Sequence, residues 1–158
     1  MARSLRLVSE SDRDGVHSEN GRIRVVLADD HSAVRRSLRQ VLDSEESIEV
    51  IAEAHDLDSL MRVIAARPAV LALDPSLLGT PRLETLQRAH TQAPNTEIVV
   101  LSMTDDPNLA QQTLDAGATG FVLKDMAAEE LPIAIRSAAA GERYVSPRIA
   151  DRLSAADR

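Results

Sequence analysis

Five polar side chains each follow a short apolar stretch of the sequence, and their types are those used in metal binding and group transfer. Asp29 and Asp30 come directly after IRVVLA, and Asp74 comes after AVLAL. Ser102 follows EIVVL, and Lys124 follows GFVL as the only lysine of the chain. Lysine carries a compact ammonium that the planar guanidinium of arginine does not replace, so a lone lysine in an arginine-rich chain is a candidate functional residue.

Three carboxylates that share one site repel one another, and a divalent cation relieves this repulsion. Oxygen ligands suit Mg²⁺, which keeps several waters and binds one or two carboxylates. A carboxylate oxygen can also attack a phosphoryl group and form an acyl phosphate. Asp74 stands alone after a central strand and is the predicted nucleophile, whereas Asp29 and Asp30 are the predicted metal ligands. His31 could add a ligand, but we expect it only to border the site.

The elements that must position these residues alternate along the chain between apolar strands and segments of helical periodicity. We predict strands over 23–28, 48–54, 69–73, 97–101 and 120–123, and helices over 32–42, 58–67, 83–93, 107–116 and 128–140. Asp58 is the predicted N-cap of the second helix. Arg35 and Arg36 are expected on the solvent-facing side of the first helix.

Strands that alternate with helices of this length indicate right-handed crossovers and a parallel sheet covered on both faces. Glu49 and Glu53 place the second strand at an edge of that sheet. The predicted fold class is therefore α/β, a doubly wound five-stranded parallel sheet with five helices, in its simplest form the flavodoxin-like order 2-1-3-4-5. In such a sheet the carboxyl ends of all strands lie at one edge, so the five polar side chains should meet there.

Composition narrows the classes of function. The chain has 158 residues, a net charge of −7 and 1% aromatic residues, which argues against binding of nucleic acid by this chain alone. It has no cysteine, which excludes disulfides, thiol catalysis and cysteine-ligated metals. It contains no apolar run near the ~20 residues of a membrane helix and no secretory signal, so we expect no membrane association and a cytoplasmic location.

The motifs IRVVLADDHSAVRRSLRQVL, VVLSMTDD and GATGFVLKD, together with Asp74 after its apolar strand, resemble the receiver domain of bacterial two-component response regulators. The NarL/FixJ subfamily, whose members usually continue into a LuxR-type helix-turn-helix, is the most similar. The resemblance covers about residues 23–148. Each motif alone is weak, but all of them in this order and spacing form a specific pattern.

The resemblance implies a role for each residue of the predicted site. Asp74 would accept the phosphoryl group and would share Mg²⁺ with Asp29, Asp30 and the backbone carbonyl of Ser76. The phosphoryl donor would be a histidine kinase or a small molecule such as acetyl phosphate. The family is a set of signalling switches, so we expect no enzymatic activity of its own.

The resemblance also implies how the signal would spread. Ser102 would bond a phosphoryl oxygen and Lys124 would pair with it, while Ser102 and Phe121 would act as the switch residues. We expect a homodimer when the protein is phosphorylated and control of transcription. DNA would be bound only through a C-terminal helix-turn-helix that this chain lacks.

Three residues depart from the family pattern and keep alternatives open. Leu78 and Arg82 stand where the family usually has proline and glycine, and Pro75 supplies no N–H next to Asp74. A degenerate or stand-alone receiver that binds proteins without phosphorylation is therefore an alternative. A phosphohydrolase of the haloacid dehalogenase type is a weaker one, because Ser76 stands where that class has its acidic residue.

The predicted domain organisation has three parts. Residues 1–21 form a disordered leader, residues 22–144 form the receiver domain, and residues 145–158 begin a linker to a missing output domain. Ser146 and Pro147 have the types expected for an N-cap and a first helical residue.

Overall fold

Strands and helices alternate from residue 23 onward in the computed structural model, which describes residues 20–156. The elements are β1 (Ile23–Ala28), α1 (Ser32–Asp43), β2 (Ile48–Ala54), α2 (Leu57–Val63), β3 (Val70–Leu73), α3 (Arg82–Gln92), β4 (Glu97–Ser102), α4 (Pro107–Asp115), β5 (Gly120–Leu123), α5 (Ala127–Ala139), β6 (Tyr144–Val145) and α6 (Pro147–Ala156). Short 3-10 turns lie at Ile64–Ala66, Pro75–Leu78 and Lys124–Met126. The predicted leader, 1–21, falls almost wholly outside the described residues.

All neighbouring strands are parallel, and their order is β2-β1-β3-β4-β5-β6. The predicted fold class and the order 2-1-3-4-5 are confirmed, and β2 lies at an edge as its two glutamates indicated. The described part of the chain adds a sixth strand and a sixth helix to the predicted five of each. The sixth strand escaped prediction because two residues are too few to show a strand pattern.

The sheet is covered by helices on both faces, and alternate residues of each strand serve the two sides. In β1, Val26 and Ala28 belong to one apolar cluster, and Val25 and Leu27 belong to the other. The first cluster includes buried side chains of α2, α3, α4 and α6, and the second includes those of α1 and α5. Within residues 20–156, no helix combines the length and the apolar character needed to cross a membrane.

Helix α2 begins at Leu57, one residue earlier than predicted. Its N-cap is Asp56, so the prediction of Asp58 as the N-cap was wrong. The Asp56 carboxylate accepts a hydrogen bond from the amide of Ser59 at 2.7 Å, and the Ser59 hydroxyl accepts one from the amide of Asp56 at 3.1 Å. This reciprocal capping box satisfies two amides that the first turn leaves unpaired, an advantage that Asp58 within the turn cannot offer. The helix also ends earlier, at Val63, and continues as a 3-10 turn.

Residues 145–156, which lie in the segment predicted to begin a linker, pack against the rest of the described chain. Ile149 of α6 is fully buried in the same cluster as the helices of that face. Arg148 pairs with Asp125 at 3.1 Å, and Arg152 pairs with Asp105 at 3.0 Å. Helix α6 is therefore held by the apolar side chains of Ile149 and Leu153 and by ion pairs to the loops that follow β5 and β4.

Candidate functional site

The strand register explains why distant residues meet at the carboxyl edge of the sheet. Ala28 of β1 pairs with Leu73 of β3, so the next residues, Asp29 and Asp74, lie side by side. Ser102 of β4 pairs with Leu123 of β5, so Lys124 emerges at the same edge. Parallel strands place their carboxyl ends together, and the residue that follows each strand therefore faces a common crevice.

Lys124 joins the two buried aspartates. Its ammonium lies 2.7 Å from Asp29 Oδ2 and hydrogen-bonds Asp74 Oδ2. The lysine side chain is only 4% exposed, and both aspartates are buried. Burial lowers the pKa of Lys124, but hydrogen bonds and charge from Asp29 and Asp74 outweigh it, so the pKa is raised above its ordinary value. The lysine therefore remains charged and offsets the carboxylates.

An acidic cluster surrounds this contact. One ligand atom each from Asp29, Asp30, His31 and Asp74 lies within 4.8 Å of the others. Asp30 and His31 are the solvent-facing members, with side chains 44% and 59% exposed. The His31 Nδ1 atom lies 3.1 Å from Asp30 Oδ1 and 3.3 Å from Asp29 Oδ1. Three carboxylates are the hard oxygen donors that Mg²⁺ prefers, and the residues fit that ion.

Backbone amides fix the two buried carboxylates. The amide of His31 donates to Asp29 Oδ1 at 2.9 Å, and the amide of Ser76 donates to Asp74 Oδ1 at 2.9 Å. Each aspartate thus hydrogen-bonds the backbone two residues further on, as in an Asx turn. Pro75 lacks an N–H, but the 3-10 turn that it begins brings the next amide to Asp74. The Ser76 hydroxyl lies 3.3 Å from Asp30 Oδ1.

Ser102 and Phe121 are placed differently from the acidic cluster. Ser102 is buried at the end of β4, and its hydroxyl donates to the Thr104 carbonyl oxygen and accepts from the Thr104 amide, both at 3.1 Å. Phe121 is fully buried in β5 between Val100 and Val145 on the neighbouring strands. The structure therefore gathers the aspartates and the lysine, leaves the serine bonded to its own loop, and buries the aromatic ring in the core.

One contributor to the site was assigned to solvent in the sequence analysis. Arg35 donates from Nη1 to the backbone carbonyl of Asp29 at 2.6 Å and from Nε to Glu53 at 3.1 Å. Its side chain is 19% exposed, whereas the neighbouring Arg36 is exposed as predicted. The available signal was helical spacing, because Arg35 lies four residues after His31 and therefore on the same side of α1.

The chain matches the response regulator receiver domain family over residues 25–136. It is 35% identical over 133 residues to the oxygen regulatory protein NreC of Staphylococcus epidermidis, an alignment that covers 83% of this chain and 61% of that protein. The chain thus spans about three-fifths of the length of this curated relative.

Solved structures agree with this match. A two-component response regulator of the LuxR family from Aurantimonas superposes with a TM-score of 0.78 at 29% identity, over 85% of this chain and 96% of that one. The signal receiver domain of the putative response regulator NarL from Mycobacterium tuberculosis gives a TM-score of 0.71 at 30% identity, over 77% of this chain and 98% of that one. The chain therefore belongs to the response regulator receiver domain family, in its NarL/FixJ-type branch.

Proposed function

We propose that this receiver domain accepts a phosphoryl group on Asp74, from a histidine kinase or from a small donor such as acetyl phosphate, and thereby controls transcription. The observation that supports this proposal is the contact of Lys124 with both Asp29 and Asp74 at the carboxyl edge of the sheet. We propose that DNA binding belongs to a domain other than this receiver domain. We place the protein in the cytoplasm, acting as a homodimer when phosphorylated.

The chain's own residues prepare Asp74 for attack. The amide of Ser76 holds Oδ1, and the Lys124 ammonium holds Oδ2, so the carboxylate has a fixed orientation toward the crevice. In the transfer, an oxygen of Asp74 bonds to phosphorus as the bond between phosphorus and the donor atom breaks. Lys124 contacts the Asp74 carboxylate in the structure. After the transfer, the ammonium would pair with the negatively charged phosphoryl group on Asp74.

A metal would be held by Asp29, Asp30 and Asp74, with the Ser76 carbonyl as the further ligand that the family implies. Bound Mg²⁺ would supply neutralisation of the phosphoryl oxygens during transfer. Asp29 and Asp74 are already fixed by backbone amides, which keeps the cost of ordering them low. Asp30, the more exposed carboxylate, would gain most order on binding.

The response to phosphorylation would begin at Ser102. Its hydroxyl bonds Thr104 in the structure, and a phosphoryl oxygen on Asp74 would compete for it. If the hydroxyl turned toward that oxygen, the loop after β4 would lose the hydrogen bonds between Ser102 and Thr104 and would move. Phe121 lies in the adjacent strand, so the change would reach the face formed by α4, β5 and α5 as a population shift.

Two other functions are alternatives to this proposal. A protein-binding module that needs no phosphorylation is supported by the departures at Pro75, Leu78 and Arg82. A phosphohydrolase lacks support, because Ser76 cannot serve as a general acid in place of a carboxyl group. The family consists largely of signalling proteins without catalysis of their own, and we propose none here.

The test uses intact-mass spectrometry after incubation with Mg²⁺ and acetyl phosphate. We expect one phosphoryl increment that Asp74→Asn abolishes and that the exposed control Asp58→Asn retains. If no increment forms, the proposed phosphorylation is overturned and the binding-module function is favoured. Steady turnover of simple phosphate esters would favour the phosphohydrolase.

A further inference from the structure

Arg35 links three elements beside the acidic cluster. It projects from α1, donates to the Asp29 carbonyl at 2.6 Å, and donates to Glu53 near the end of β2 at 3.1 Å. Glu53 Oε2 also accepts a hydrogen bond from Arg39 Nη1 at 3.0 Å, so the Glu53 carboxylate is fixed by two arginines of the same helix. The guanidinium of Arg35 is thus held on one side by an ion pair and contacts backbone on the other.

The carbonyl that Arg35 contacts belongs to the peptide between the two predicted metal ligands. A peptide unit is planar, so fixing the Asp29 carbonyl also fixes the amide of Asp30. The amide of Asp29 is bonded to the Ala54 carbonyl at 3.0 Å. With Arg35 in place, both backbone groups of Asp29 are held, and the orientation of the chain that carries the Asp30 carboxylate is set.

Asp30 is the ligand that depends most on this restraint. Its carboxylate is 44% exposed and contacts His31 and the Ser76 hydroxyl. Neither contact holds its backbone. Residues that orient metal ligands from outside the coordination sphere typically contribute about 10–100-fold to metal affinity.

We propose that Arg35 is a positioning residue for the metal-binding carboxylates of Asp29 and Asp30, and that Glu53 aligns its guanidinium. This inference rests on the proposed function of the site. Arginine is required because its planar fork reaches the carbonyl and Glu53 together, whereas a lysine ammonium on a flexible stem has no such fixed geometry.

A positioning role and a purely electrostatic role of Arg35 predict opposite changes in the affinity for Mg²⁺. Arg35 is a cation near a cation site, so if only its charge mattered, removing it would tighten Mg²⁺ binding. If it positions the ligands, removing it weakens binding. Arg35→Lys keeps the charge and loses the fork, and Arg36→Gln removes a neighbouring exposed charge without touching the carbonyl.

Isothermal titration calorimetry with Mg²⁺ alone distinguishes these cases. We expect Arg35→Lys and Arg35→Gln to raise the Kd about tenfold. The Arg36→Gln control should stay within about twofold, because exposed charges near the surface are screened. Glu53→Gln should raise the Kd by a smaller factor, since it leaves the carbonyl contact in place. Circular dichroism in metal-free buffer checks that each variant is folded.

A second readout separates positioning from general damage. The rate of phosphorylation by acetyl phosphate should fall in Arg35→Lys at low Mg²⁺ and return to about the wild-type rate at saturating Mg²⁺, because Asp74 itself is untouched. An unchanged or lower Kd in Arg35→Lys, with normal binding by the wild type, overturns the role of Arg35 alone. A wild-type protein that neither binds Mg²⁺ nor accepts a phosphoryl group overturns the proposed function as well.

Discussion

Replacing Lys124 by methionine tests the charge balance on which the site depends. The lysine side chain is 4% exposed and contacts two buried carboxylates. Removing one partner of a buried ion pair costs about 3–5 kcal/mol, because the remaining charge has no compensation. Methionine has a similar length and preserves most of the packing. We therefore expect Lys124→Met to lower the free energy of unfolding by about 3 kcal/mol in metal-free buffer, a large part of the roughly 5–15 kcal/mol typical of a domain.

Added Mg²⁺ should narrow this difference. A ligand at one hundred times its Kd stabilises the folded state by about 2.7 kcal/mol. In the variant, Asp29, Asp30 and Asp74 have no ammonium beside them, so they should bind the cation more tightly than the wild type does. The gap between the two unfolding free energies should therefore shrink as Mg²⁺ is added.

Urea unfolding followed by circular dichroism, with and without Mg²⁺, measures both effects. Arg36→Met is the matched control, because it removes an exposed cation and should change stability by no more than about 0.5 kcal/mol. The pKa of Lys124 is raised in the folded state. Its contribution is therefore fully present below the ordinary pKa of lysine and is lost as the pH rises through the folded value. A loss below about 1 kcal/mol, or a gap that Mg²⁺ leaves unchanged, would refute the reasoning.

Three further outcomes test the elements around the site. Burial, together with a hydrogen bond and negative charge from Glu130, raises the pKa of Tyr144 to about 12. Glu130→Gln should lower this pKa. Phenolate absorbance measures the pKa directly, because the chain has one tyrosine and no tryptophan. The hydrogen bond from the Ser59 amide lowers the pKa of Asp56 in the folded state. Asp56→Asn should therefore reduce stability above the ordinary pKa of aspartate, and its effect should fade as the pH falls through the folded pKa. Unfolding midpoints measured across an acid pH series record this change. Ile149→Ala should cost about 2–5 kcal/mol in urea unfolding if α6 is part of the folded domain, and a negligible loss would contradict its packing.

Most of the sheet could be predicted because its strands are short apolar runs bounded by polar residues. The predicted limits of β1, β2 and β5 agree with the structure. The errors lie where pattern carries little information. Strand β6 has two residues. The prediction that Asp58 caps α2 was wrong, because Asp56 forms the reciprocal capping box with Ser59.

The sequence by itself also determined which residues could meet. Asp29, Asp74 and Lys124 each follow a strand, and a parallel sheet places such positions at one edge whatever the details of its packing. Their direct contact follows from the register of β1 with β3 and of β4 with β5.

Only the tertiary structure decided which contacts the side chains around the site make. Leu38 and Leu42 fix the rotation of α1 against the sheet, and that rotation turns Arg35 toward the Asp29 carbonyl rather than toward water. Helical periodicity describes which face is apolar, but a long side chain at the border of that face can take either direction. Its partner Glu53 comes from β2, and only the packing of helix against strand brings the two together.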